Sequence, residues 1–171
     1  MNENDQLKTM SRWMIALAWL FVLGLLTLYF SDMLEKQRNP NRIVNTRAHS
    51  DGTREVILQR NRSGHYLATG ELNGQPVNFL LDTGATWVSI PEKIATHLKL
   101  VRGAPMEVST ANGVITAYAT WVDTVSLGNI QLHNIRASIN PNAPDDDVLL
   151  GMSFLKELEM VQRGDILTLR Q

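Results

Sequence analysis

The sequence contains no cysteine. Thiolate catalysis, disulfide staples and cysteine metal sites are therefore excluded, while the redox state of the compartment stays open. Its histidines, His49, His65, His97 and His133, are too scattered for a recognised metal spacing and read as surface or satisfied core residues. No glycine loop is patterned to cradle phosphate, and serine-based catalysis lacks a G-x-S-x-G elbow. A formal net charge of −1 gives no reason to expect nucleic acid or anionic lipid as the main partner.

One long uncharged run is present. Residues 13–30, WMIALAWLFVLGLLTLYF, would reach roughly 27 Å as a helix, close to the thickness of a bilayer's hydrocarbon core. Trp13, Trp19 and Tyr29 lie near its ends or within a turn or two of them, as an interfacial belt would require. A cleaved signal peptide is the competing reading, but the run exceeds a usual h-region and residues 31–35 offer no small-x-small cleavage site. The organisation expected is a tail over 1–12, a transmembrane helix over 13–30, a polar linker over 31–53 and one folded domain over 54–171. The linker assignment rests on Pro40, several asparagines and scattered charge without sustained periodicity. Lys8 and Arg12 precede the helix whereas Lys36, Arg38, Arg42 and Arg47 follow it, a bias that by itself favours a cytoplasmic C-terminus.

The folded part reads as short strands punctuated by Gly and Asn. Asn73-Gly74 between two apolar-rich runs is a strong hairpin signal, and Ala111-Asn112-Gly113 is another turn. A helix is expected from Pro91 through Leu100, a helical turn or two over 153–158, and a closing hairpin around Gly164-Asp165. Gly-Asp there satisfies a turn, so the Arg163-Gly164-Asp165 tripeptide needs no adhesion role. The class is mainly β, a small barrel-like domain with one or two short helices.

The first hairpin delivers Phe79-Leu80-Leu81-Asp82-Thr83-Gly84-Ala85-Thr86. An acid directly after a buried apolar run is badly placed for a group that prefers water, and Thr-Gly after it permits a tight turn whose backbone approaches the carboxylate. Asp82 is expected at a strand end, desolvated and surrounded by donors. Trp87 then lines a pocket or fills the core, and the sequence leaves both open.

FLLDTGAT resembles the active-site signature of aspartic proteases, and Val148-Leu149-Leu150-Gly151 resembles the matching apolar-Gly element downstream. Together, from about Arg54 onward, they are similar to single-lobed retropepsin-like enzymes, and most similar to a bacterial group anchored by one membrane helix. The resemblance implies a closed acid-protease barrel and peptide-bond hydrolysis without metal or organic cofactor. It implies Asp82 as the catalytic residue, with Thr83, Gly84, Ala85 and Gly151 in support. It also implies a flap tipped by Thr110, Ala111, Asn112 and Gly113, and a periplasmic domain on the inner membrane, against the raw charge bias.

A lone aspartate cannot serve as both acid and base near neutrality. The only other Asp-Thr, Asp123-Thr124, is followed by valine, and Asp145-Asp146-Asp147 reads as a solvated loop. The economical solution is a two-fold homodimer in which each chain contributes Asp82. Competing readings are a catalytically silent retropepsin-like module for dimerisation or peptide binding, and a structural anchor whose Asp82 bonds a core turn.

Overall fold

In the computed structural model, which describes residues 3–110, 113–143 and 146–171, the chain divides into two units, residues 1–37 and 38–171. The first is helical. Helix α1 (Glu3–Arg38) outruns the apolar segment at both ends, and from Trp13 it is long and apolar enough to cross a membrane. Every side chain from Trp13 to Phe30 is exposed.

The segment expected as a polar linker, 31–53, contains the last turns of α1 and a four-residue strand. Residues 31–38 contain neither Gly nor Pro, and Lys36 pairs with Asp32 one turn back at 2.7 Å, so the helix continues until Asn39-Pro40 forbids it. The chain then enters the second unit at once. Asn39 and Asn41 are buried. The Asn41 side chain donates to the carbonyls of Gln59 and Leu67 at 2.9 and 2.8 Å, and accepts from the Gln59 amide at 2.7 Å. Asn39 donates to Thr69 Oγ1 and Asn78 Oδ1. Two polar side chains thus act as backbone substitutes between strands, a role that composition does not reveal. A fragment beginning at Thr53 lacks both asparagines, and each buried partner left unsatisfied costs about 1–3 kcal/mol. Its thermal unfolding midpoint is expected well below that of a fragment beginning at Gln37.

The second unit is built from two sheets. One, ordered β1-β2-β11-β10, comprises β1 (Asn45–Ala48), β2 (Arg54–Gln59), β10 (Glu159–Arg163) and β11 (Ile166–Arg170). The other contains β3 (Leu67–Leu72), β4 (Gln75–Leu81), β5 (Val88–Pro91), β6 (Pro105–Thr110), β7 (Gly113–Leu127), β8 (Ile130–Asn140) and β9 (Val148–Leu150). Its order is β3-β4-β9-β5-β8-β7-β6, with β3 also pairing β7 so that the sheet closes on itself. Phe79, Ile90, Leu127, Ile139, Leu150 and Phe154 are among the fully buried side chains of the core. Asn73 and Gly74 both take positive φ, 49° and 76°, the primed-turn geometry that matches strand twist.

Two strands depart from the expected pattern. β1 lies within the supposed linker, and β5 occupies a segment with no strand signal of its own. The helix expected over Pro91–Leu100 shortens to α2 (Glu92–His97): Pro91 belongs to β5, and at the other end Lys99 takes a φ of 54° and leaves the helical conformation. The helical turn near 153 is α3 (Met152–Leu155).

Glu55, at the start of β2, is 3% exposed. Its carboxylate accepts from Arg170 Nε at 2.9 Å, with Arg47 and His49 each at 3.8 Å, so β1, β2 and β11 share one ionic tie. The Arg170 hydrogen bond, opposed by burial and helped by the nearby positive charges, holds Glu55 below the usual carboxylate range. A depressed folded value stabilises the fold above the ordinary carboxylate pKa of about 4.3, and that stability drains as pH falls through the folded value. Melting midpoints between pH 7 and 3 should therefore fall more steeply for the wild type than for Glu55→Gln.

Candidate active site

β4 and β9 run parallel with Leu81 beside Leu150, and the Asp82 amide donates to the Leu150 carbonyl at 3.2 Å. Past that bond the strand ends and the chain turns, the Ala85 amide reaching the Asp82 carbonyl at 3.3 Å. Gly84 donates its amide to Asp82 Oδ1 at 2.9 Å. A Cβ on Gly84 would stand only 3.2 Å from that oxygen, so glycine permits the approach. Asp82 is half-buried, and Thr83 and Gly84 are exposed. Desolvation is thus milder than expected, and among the described residues the Gly84 amide is the donor found for the carboxylate. The reason is local: β4 stops level with β9, so the acid emerges at the surface of a cleft instead of pointing back into the core. The arrangement leaves an oxygen able to accept a proton from water.

The loop bearing the acid is clamped from below. Gly151 follows β9, and a Cβ there would meet the Trp87 carbonyl at 2.3 Å and the Ala85 carbonyl at 2.6 Å. The next amides donate into the same loop, Met152 to the Ala85 carbonyl at 2.8 Å and Ser153 to the Thr86 carbonyl at 2.9 Å. Ser153 Oγ accepts from the Val88 amide at 3.0 Å and donates to the Arg136 carbonyl at 2.7 Å, joining the loop to β8. Sequence reasoning misses Ser153, which reads simply as the first residue of a helical turn. Its role depends on three segments distant in the chain.

The cleft over this loop encloses about 710 Å³. Asp82, Gly84 and Trp87 line it together with Met106 and Val108 of β6 and Ile115 of β7. The hairpin expected as a flap therefore borders the same cleft as Asp82. Thr110 donates its hydroxyl to the Gly113 carbonyl at 2.8 Å, and Ala111 and Asn112 lie outside the described residues. Glu107, exposed on β6, is a second carboxylate on the lining that the sequence does not single out. Asp123 does not border this cleft. Nor do Asp146 and Asp147, which pair with Lys93 and Arg38; Asp145 lies outside the described residues.

A family model described as gag-polyprotein putative aspartyl protease matches residues 68–157. An uncharacterized protein in the cobV 5′ region of Sinorhizobium sp. is 34% identical over 168 residues, spanning 89% of this chain and 70% of the relative. A crystal structure of a retropepsin-like aspartic protease from Rickettsia conorii aligns with a TM-score of 0.57 at 24% identity, covering 74% of this chain and 94% of that one, which is a likeness of fold.

Proposed function

The chain belongs to the retropepsin-like aspartic protease family, and from that membership we propose that it is a membrane-anchored endopeptidase whose active site forms when two copies bring their Asp82 carboxylates together. The observation that carries this reading is the position of Asp82, held by the Gly84 amide at the border of a cleft of about 710 Å³. Two carboxylates forced into proximity cannot both ionise, so they share one proton. The ionised member takes a proton from water, which attacks the peptide carbonyl. The protonated member donates to the carbonyl oxygen, and proton return to nitrogen lets the amine leave. Exposed Thr83 is suited to hydrogen-bond across the two-fold axis, and the clamp at Gly151 holds the loop that both partners need.

The apolar part of α1 supplies the anchor, with residues 1–12 as its tail and the protease domain beginning at Arg38 instead of Arg54. We assign the domain to the periplasmic side of a bacterial inner membrane; a C-terminal alkaline phosphatase fusion that inserts but stays inactive would reverse that orientation.

The test is to incubate the full chain in detergent with a peptide library and identify new termini by mass spectrometry, with and without a pepstatin-like inhibitor. Inhibitor-sensitive cleavage is expected. No cleavage by a confirmed dimer would favour the silent peptide-binding module, a reading that the half-exposed single acid also fits. Ala85 offers no hydroxyl to the neighbouring carboxylate, and such a hydrogen bond would favour the charged form. Ala85→Ser should therefore move the acid limb of the pH–rate profile downward; an unmoved or raised limb would refute that role.

A further inference from the structure

Trp87 borders two hollows. One is the cleft containing Asp82, and the other, of about 530 Å³, is bordered by Thr86, Trp87, Trp121, Arg136, Met152 and Lys156 among others. Thr86 and Trp87 border both. In the second hollow the Arg136 guanidinium carbon lies 4.9 Å from the Trp87 ring centroid and 5.5 Å from that of Trp121. Both distances are within cation–π range, so two indoles fix the position of one guanidinium. Trp121 is 60% exposed.

Charge in the hollow is unbalanced. Glu157, an acid on its border, lies 3.7 Å from Lys156, and the His133 ring contacts the Thr124 hydroxyl at 3.3 Å. Among the described residues no carboxylate lies within ion-pair distance of Arg136. A guanidinium presents a planar fork of donors that matches a carboxylate at two points, and holding it in advance lowers the ordering cost of binding. An exposed tryptophan beside it provides the rigid apolar wall common at recognition sites.

We propose that this hollow is a specificity site for an acidic side chain of the peptide occupying the adjoining cleft, with Arg136 receiving the carboxylate between Trp87 and Trp121. The inference rests on the peptidase reading only so far as the cleft holds a peptide. Substrates would then carry an Asp or Glu at a fixed remove from the scissile bond, where the chain passes Thr86 and Trp87.

Binding separates this from catalysis. The full chain with Asp82→Asn, in detergent micelles, would be titrated with fluorescent, C-terminally amidated peptides that differ only by Glu or Gln at each position in turn, followed by anisotropy. Glu at one position should bind about tenfold tighter than Gln, with the ratio shrinking at high salt. Arg136→Gln should bring the ratio near one, and Arg136→Lys, which keeps the charge but loses the fork, should retain part of it. A ratio near one at every position, no binding of any peptide, or a Glu preference that survives both substitutions would overturn the proposal. An unamidated arm distinguishes a terminal carboxylate: a preference for the free C-terminus alone would also overturn the side-chain assignment. If wild-type protein fails to cut the tightest-binding peptides, the peptidase reading falls while this site stands.

Discussion

Asp82→Asn should lower peptide cleavage by about a thousandfold, the scale at which a general acid–base group acts. Asparagine keeps the shape of aspartate and an oxygen to accept the Gly84 amide, so the fold should persist and the thermal midpoint should move little. The loss would then be chemical, because an amide cannot hold the proton that a dyad passes between water and leaving amine. Mixing distinguishes a shared site from a single-chain site. If wild-type and Asp82→Asn chains are co-expressed in equal amounts and pair at random, about three quarters of the dimers carry at least one asparagine in place of the acid. Activity per chain should fall to about a quarter of the wild type. A fall to one half would mean that each chain works alone, and Glu107, the other carboxylate on the cleft, would become the candidate partner. Activity that survives Asp82→Asn would remove Asp82 from the mechanism.

Gly151→Ala should be nearly as damaging, through the fold instead of the chemistry. The added Cβ would meet two backbone carbonyls, those of Trp87 and Ala85, at distances far inside van der Waals contact. Neither oxygen ends a flexible side chain, so neither can swing away. The Ala85 carbonyl also accepts from Met152, which means relief of the clash breaks the clamp. Overpacking of this kind costs about 1–3 kcal/mol where side chains can adjust, and the upper end or more is expected where backbone must move. Chemical denaturation should show a large drop in midpoint. Gly24→Ala is the contrast, since nothing lies within 4 Å of that Cβ, and its midpoint should match the wild type.

Legibility in the sequence follows the range of the interaction involved. The Asn73-Gly74 hairpin and the Asp82 turn are determined by neighbouring residues, so composition and order suffice to find them. β5 is hidden because Val88-Ser89-Ile90-Pro91 is too short to show a period, and it becomes a strand only between β8 and β9. Asn39 and Asn41 look like loop residues until the backbone groups of Gln59 and Leu67 and the side chains of Thr69 and Asn78 are placed around them. Glu55 reads as a strand residue, and its tie to Arg170 spans nearly the whole folded unit. Arg136 gives no signal at all, since the rings that hold it, Trp87 and Trp121, come from other strands or loops.

The asparagine clasp bears on what a cut near residue 38 would do to the second unit. A protease that sheds itself needs a severable segment between anchor and body, long enough to be drawn through a cleft in extended form. Here α1 runs to Arg38 and the next residue is already buried and bonded to Thr69 and Asn78. Asn78 lies on β4, the strand that ends at Leu81, one residue before Asp82. A cut beyond Arg38 would therefore loosen the very strand that leads to the acid, and a cut before it would first have to unwind helix. If the chain is the anchored peptidase proposed above, cutting it free at this junction would cost it the bracing of the strand that leads to Asp82.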